Sequence, residues 1–186
     1  MKTLHSEQEL RDGVRRMAAE ITETYGDRPI TIVAVLTGSF VLVADLIRML
    51  EMPLRVGVIE ASSYGGATTT RGELTINAEL MIDIEGRDVL LVDDIFDTGH
   101  TLVKVVEKMK AFNPNSIRSA VLLRKHGRQE VDEVPDFVAF DIPDEFVVGY
   151  GLDYDDLYRN LPYLASMEQE DLDNHKRLLA HADTGE

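Results

Sequence analysis

The stretch VLLVDDIFDTGHTL, residues 89 to 102, joins an apolar run to three acidic residues and a turn of small residues. Asp93 and Asp94 follow the aliphatic residues directly, and Asp97 comes three positions later, before Thr98 and Gly99. Carboxylates at the end of a buried strand cost free energy unless a cation or hydroxyl donors meet them. This composition predicts a site that binds a metal ion or a polyol on one side and a phosphate on the other.

The turn from Asp97 to Thr101 precedes a predicted helix, whose free N–H groups and positive dipole end attract a monophosphate without a basic residue. In the alternative, Asp97 only caps that helix and Thr98 and Gly99 only fill the turn. Adjacent strand residues point to opposite faces, so we expect Asp93 and Asp94 to do different jobs.

The overall composition limits the classes of partner. With 186 residues the chain is long enough for one domain, residues 1 to 186, in which residues 166 to 186 form an acidic tail. A net charge of −15 opposes binding to nucleic acid or to an anionic membrane. There is no cysteine for a disulfide or thiolate site. Because the chain has no apolar run of roughly 20 residues and no signal-peptide core, we expect a cytoplasmic protein.

The order of elements predicts an α/β fold with a mainly parallel, twisted sheet flanked by helices. A capping box of Ser6 and Glu9 begins an amphipathic helix, and ITIVAVL, residues 30 to 36, is typical of a strand buried on both faces. Further strands are predicted at LRVGVIEASS, DVLLVDD and IRSAVLLRK, and helices at FVLVADLIRML and from about residue 98 to 112. The composition of YGGATTTRGEL favours a disordered connection over a lid.

Three polar turns follow predicted parallel strands. They are Thr37-Gly38-Ser39, residues 93 to 101, and the segment that begins at Lys125. Because ligands of open α/β sheets bind outside the carboxyl ends of the strands, we expect these turns to form one site.

The motifs carry a family resemblance. VLLVDDIFDTGHT resembles the phosphoribosyl pyrophosphate (PRPP) signature of type I phosphoribosyltransferases. VLTGSF, ASSYGGATTTRGEL, LLRK and IPDEFVVGYGLDYDDLYRNLPYLA are similar to segments of the hypoxanthine-guanine phosphoribosyltransferases, over residues 4 to 165. The resemblance implies the type I fold with a small hood built from N- and C-terminal segments. It also implies purine salvage, in which PRPP and a 6-oxopurine react in the presence of Mg²⁺ to give the nucleotide and pyrophosphate. The resemblance further implies a homodimer or homotetramer.

The resemblance also implies roles for individual residues. Asp97 matches the general base that exchanges a proton with purine N7, and Lys125 matches the lysine that donates to the 6-oxo group. The glycine-rich stretch YGGATTTRGEL matches a lid that closes over the site in the family. This match outweighs the composition of the stretch, which by itself favours a disordered connection. The other implied positions are Thr98, Gly99, His100 and Thr101 for the 5-phosphate; Asp93 and Asp94 for ribose and Mg²⁺; Asp153 for the purine and a second Mg²⁺; Thr37, Gly38, Ser39 and Arg159 for pyrophosphate; Phe146 and Val147 for the purine; and Ser63 and Tyr64 for the lid.

Two positions depart from the family pattern. Asp93 stands where many members carry glutamate, and Thr37 stands where many carry a lysine or arginine, which leaves the amides of Gly38 and Ser39 a larger share of pyrophosphate binding. The Leu36-Thr37 peptide is often cis in the family. A xanthine-preferring transferase and a PRPP-sensing regulatory module remain open as alternatives.

Overall fold

The chain folds around a six-stranded, mainly parallel sheet in a computed structural model, which describes residues 1–63, 74–77 and 82–182. The strand order is β4-β3-β2-β5-β6-β7, and only β4 runs antiparallel to its neighbour. The elements are β1 (Lys2–His5), α1 (Glu7–Tyr25), β2 (Ile30–Leu36), α2 (Phe40–Leu46), β3 (Leu54–Ser63), β4 (Leu74–Asn77), β5 (Asp88–Phe96), α3 (His100–Lys110), β6 (Ser116–Lys125), β7 (Phe137–Ile142), β8 (Val147–Val148), β9 (Leu164–Ser166) and α4 (Gln169–Ala182).

A second, antiparallel sheet of order β1-β9-β8 joins the two ends of the chain. We call this sheet, together with residues 149 to 163 between β8 and β9, the hood. Gly149 lies at its base, where a side chain would overlap the carbonyl oxygen of Tyr163. The predicted fold class, a mainly parallel sheet with a hood from N- and C-terminal segments, is confirmed.

The two central strands of the large sheet, β2 and β5, are buried on both faces. In β2, Ile32 and Ala34 pack into the core beneath α1 and α2, whereas Val33 and Val35 pack into the core beneath α3. The β5 residues from 89 to 92 alternate between the same two cores. The alternation of side chains and their burial on both faces therefore fix which face of the sheet each residue at the end of β5 lies on.

The helices follow the predicted pattern with shifted ends. The capping box of Ser6 and Glu9 is present, and part of the acidic tail forms α4. The predicted helix FVLVADLIRML is shorter, because α2 ends at Leu46 and the Met49 N–H closes a tighter turn on the Leu46 carbonyl. None of the helices in the described ranges combines the length and the apolar character needed to cross a membrane.

The start of β5 carries a pH-sensitive contact. Asp88 accepts hydrogen bonds of 2.6 Å from the Ser116 hydroxyl and the Asn115 amide, at the start of β6. The Ser116 bond, and to a smaller extent Asn115 and Arg28, lower the pKa of Asp88. A lowered pKa in the folded state stabilises the protein above the unfolded pKa, and this contribution is lost as the pH falls through the folded pKa.

We therefore predict that Asp88→Asn lowers the free energy of unfolding by about 1 kcal/mol at pH 7, through weaker hydrogen bonds. The difference from wild type should shrink below about pH 4, where Asp88 becomes protonated in the unfolded and then the folded chain. Urea unfolding at pH 7, 5 and 3 measures it, with the exposed Asp132→Asn as control. A difference that stays constant over this range would contradict the prediction.

Candidate active site

The carboxyl ends of β2, β5 and β6 meet at one edge of the sheet, because β5 lies between the other two strands. A cavity of about 120 Å³ opens at the end of β5. Its polar lining comes from Asp93, Asp97, Thr98 and Thr101, and Gly99 completes the turn around it. The structure thus brings together most of the PRPP motif predicted from sequence.

Asp93 and Asp94 are carboxylates in an apolar setting. Asp93 is only 8% exposed, and its Oδ1 accepts a 2.9 Å hydrogen bond from the backbone N–H of Asp94. Burial raises the pKa of Asp93 well above its ordinary value, and the charge of Asp94 raises it further. Burial also raises the pKa of Asp94, whereas Arg159 acts in the opposite direction. A cation or several hydroxyl donors would favour the charged form of this pair.

The loop after β2 packs against Asp94. The Leu36-Thr37 peptide is cis, and the buried Ser39 hydroxyl donates a 2.6 Å hydrogen bond to the Val35 carbonyl. A methyl group at Gly38 would overlap the Asp94 carboxylate. Absence of a side chain at Gly38 therefore lets this carboxylate lie directly on the loop backbone.

The turn between β5 and α3 leaves the first N–H groups of the helix uncapped by any side chain. Gly99, with a φ of 91°, is the N-cap residue and has no side chain with which to cap the helix. The alternative in which Asp97 caps the helix is therefore wrong. His100 lies outside the cavity lining and pairs with Glu130 at 2.9 Å, and the Glu130 N–H donates to the Thr98 carbonyl.

Asp97 lies between two basic residues. Arg128 Nε donates a 3.0 Å hydrogen bond to its Oδ1, and Lys125 Nζ lies 4.0 Å from its Oδ2. Both bases also contact Asp144, at 3.3 Å from Lys125 and 3.6 Å from Arg128. The sequence reading missed Arg128 and Asp144, although the basic residues on both sides of Gly127 were a usable signal.

The hood brings Arg159 to the same edge. Its guanidinium donates a 2.9 Å hydrogen bond to the Gly151 carbonyl and pairs with Asp153 at 2.8 Å. Gly151 has a φ of 102°, and a side chain there would overlap the carbonyl oxygen of Gly38. Main chain therefore meets main chain between the hood and the loop after β2, and only glycine allows that approach.

The remaining predicted residues lie around this cluster. Phe146 is 46% exposed, and its ring packs in a T-shaped arrangement with the Tyr154 ring, with centroids 5.3 Å apart. Val147 is buried and pairs with β9. The backbone of Ser63 ends β3, and Tyr64 and the rest of the predicted lid tip lie outside the described residues.

A magnesium ion fits the carboxylates only with help from a substrate. Within residues 1–63, 74–77 and 82–182, no three acidic or histidine side chains form a group that could hold a metal ion. Asp93 and Asp94 supply two carboxylates, and Asp153 is engaged by Arg159. Mg²⁺ commonly takes one or two carboxylates and completes its shell with water and phosphate oxygens. The donor set therefore suits a metal ion that arrives with a phosphorylated ligand.

Comparison with known proteins identifies the family. A model of the phosphoribosyl transferase domain matches residues 1–155. A hypoxanthine-guanine phosphoribosyltransferase of Staphylococcus epidermidis is 43% identical over 167 residues, 90% of this chain and 93% of that protein. The Bacillus subtilis enzyme of the same name is 41% identical over 167 residues, again 90% of this chain and 93% of that protein. This chain belongs to the hypoxanthine-guanine phosphoribosyltransferase family.

The structural comparison agrees with this assignment. A solved hypoxanthine-guanine phosphoribosyltransferase of Bacillus anthracis, with a HEPES molecule in its active site, superposes with a TM-score of 0.84 at 39% identity. The match covers 90% of this chain and 99% of that chain. The match to the family's domain model ends at Asp155 of this chain, so Arg159 and α4 lie beyond the matched region.

The contact between Gly38 and Asp94 generates a prediction. Gly38→Ala should lower the free energy of unfolding by about 1–3 kcal/mol, because the methyl group forces the Asp94 carboxylate to move. In an Asp94→Ala background the overlapping carboxylate is gone and only the Cβ of residue 94 stays close, so the same substitution should cost at least about 1 kcal/mol less. Denaturant unfolding of the four proteins completes the cycle. An equal cost in both backgrounds would show that the Asp94 carboxylate is not the obstacle.

Proposed function

We propose that this chain is a purine salvage enzyme that transfers the 5-phosphoribosyl group of PRPP to N9 of hypoxanthine or guanine, which releases pyrophosphate. The observation that carries the proposal is the cavity at the end of β5, where Asp93 and Asp97 lie beside the open N-terminus of α3. Membership in the hypoxanthine-guanine phosphoribosyltransferase family supports it. Neither a xanthine-preferring transferase nor a PRPP-sensing module is favoured by these relatives.

In this proposal the N-terminus of α3 binds the 5-phosphate of PRPP. The backbone amides from Thr98 to Thr101 and the helix dipole attract the anion. The adjacent Asp93 carboxylate accepts hydrogen bonds from the ribose hydroxyls. A phosphate so bound needs no lysine or arginine, which suits a chain whose net charge is −15.

Asp97 exchanges a proton with N7 of the purine as the bond from C1 of the ribose to N9 forms. Arg128 orients the Asp97 carboxylate, because its Nε donates to one of the two oxygens. Lys125 donates to the 6-oxo group after it turns from Asp144, and this contact favours a 6-oxopurine over adenine. Phe146 offers an exposed aromatic face for the base, and the main chain of Val147 reads the edge of the base.

The leaving pyrophosphate lies between Thr37, Gly38, Ser39 and Arg159. The backbone amides of this loop and the guanidinium of Arg159 bind its oxygens. Mg²⁺, when bound, neutralises charge on the pyrophosphate. Asp93 and Asp94 would hold it together with substrate oxygens, and Asp153 would hold a second ion after it separates from Arg159.

Exclusion of water completes the proposal, because the sugar is oxocarbenium-like when pyrophosphate leaves. The lid of Ser63 and Tyr64 stays a prediction for this step.

We propose a homodimer or homotetramer, which the exposed apolar Phe40 beside the loop after β2 supports. A single domain of residues 1 to 186 is supported by one core that contains both Leu90 and the hood residue Leu164. A cytoplasmic location stays a prediction.

The test of the proposed function offers hypoxanthine, guanine, xanthine and adenine separately to the purified protein with PRPP and Mg²⁺. We expect nucleotide formation from hypoxanthine or guanine and none from adenine. Detection of the nucleotide by chromatography and of pyrophosphate by a coupled assay gives two readouts. Measurable PRPP binding without turnover of any base would favour the sensor instead.

The general-base role of Asp97 is tested separately. Asp97→Asn keeps the shape and an acceptor for Arg128 but cannot exchange the proton, so turnover should fall by about 10²-fold or more. PRPP affinity, measured by calorimetry, should stay within about threefold of wild type, because the phosphate and ribose contacts remain. Unchanged turnover would remove Asp97 from this role.

A further inference from the structure

The C-terminal helix α4 contacts the hood through the buried His175. The His175 side chain is completely buried, with 0% of its surface exposed. Its Nδ1 lies 3.1 Å from the Tyr158 hydroxyl, and its Nε2 lies 3.1 Å from Asp155 Oδ2. Its ring also packs on the Tyr154 ring, with centroids 4.3 Å apart. One side chain of α4 therefore contacts three residues within five positions of the hood.

These contacts hold a segment with an unusual backbone. Asp155, Asp156 and Tyr158 have φ angles of 49°, 61° and 74°, a region that residues other than glycine rarely adopt. Such conformations persist only where the surroundings fix them. His175 bonds the side chains of two of these three residues, so α4 supplies part of what fixes the loop.

The same segment carries the residues proposed for the substrates. Asp153 precedes it and accepts a 2.9 Å hydrogen bond from the Asp156 N–H, whereas Arg159 follows it and pairs with Asp156 at 3.1 Å. Tyr154, which packs on His175, also packs on Phe146 in a T-shaped arrangement, with ring centroids 5.3 Å apart. Movement of the loop would therefore displace the pyrophosphate arginine and the purine-stacking ring together.

We propose that His175 is a positioning residue that presets the hood loop for binding of the purine and of PRPP. The inference rests on the proposed function. It assigns α4 a role in substrate affinity, although α4 begins fourteen residues beyond the end of the matched domain model at Asp155. His175 touches neither substrate and acts only through Tyr154, Asp155 and Tyr158.

The distinguishing quantity is the Michaelis constant. In His175→Ala the KM values for PRPP and the preferred base should rise about tenfold, about 1.4 kcal/mol of binding free energy. The turnover number should stay within about threefold, because the contacts of Arg159 and Phe146 act on bound substrate and transition state alike. A purely structural role would lower the melting temperature and leave both KM values unchanged.

Three further variants make the test specific. Lys176→Ala removes an exposed neighbour on the same helix and should behave as wild type. His175→Gln can accept from the Tyr158 hydroxyl and donate to Asp155, so it should recover most of the affinity. Tyr158→Phe removes only the hydroxyl, leaves the fold intact, and should raise the same KM values about threefold, the loss of one hydrogen bond.

Hydrogen–deuterium exchange supplies a readout that does not need activity. The Asp156, Leu157 and Leu161 amides, which bond within the loop, should exchange faster in His175→Ala and Tyr158→Phe than in Lys176→Ala. Equal KM values and equal exchange in Tyr158→Phe and Lys176→Ala would overturn the proposal, whether or not His175→Ala folds. Absence of transfer by the wild type would contradict the proposed function, while the exchange would still report whether His175 holds the loop.

Discussion

Burial of the Asp93 carboxylate beside the half-buried Asp94 at the end of β5 is the constraint on which this site depends. The two carboxylates are held at this position, because the preceding residues of β5 are fixed between two apolar cores. Their charged forms are disfavoured until a cation or hydroxyl groups arrive. Two features of the surrounding structure supply such partners: the guanidinium of Arg159, and space for a metal-bearing substrate.

The balance of charge around the cluster explains how an acidic protein can accept a polyanion. Lys125, Arg128 and Arg159 all point to this edge, and each is held by an aspartate. The bases are thereby kept in fixed positions without a surplus of positive charge on the surface. At Arg159 a substrate phosphate can replace Asp153 as the partner of the guanidinium, so binding there exchanges one ion pair for another. Exchange of this kind favours selectivity over tight binding.

Sequence was sufficient for the central strands of the large sheet and for the end of β5, and insufficient for contacts across the chain. Apolar periodicity predicted β2 and β5 because burial on both faces leaves a continuous aliphatic run. The roles of Asp97 and Lys125 rested on a family motif. His175 carried no local signal, and the partner of Arg128 could not be read from the sequence, because each side chain contacts a residue more than fifteen positions away. The left-handed backbone of Asp155 and Tyr158 is likewise a product of tertiary contacts.

The glycines of the hood bear on how the sequence of this enzyme can diverge. A side chain at Gly149 or Gly151 would meet a carbonyl oxygen of the main chain, whereas one at Gly38 would meet the carboxylate of Asp94. A second mutation can remove a side chain, but none can remove a carbonyl group. Epistasis can therefore rescue a change at Gly38 but not one at Gly149 or Gly151. In a mutational scan these two positions would rank beside Asp97, the proposed general base, although they contribute only the absence of atoms.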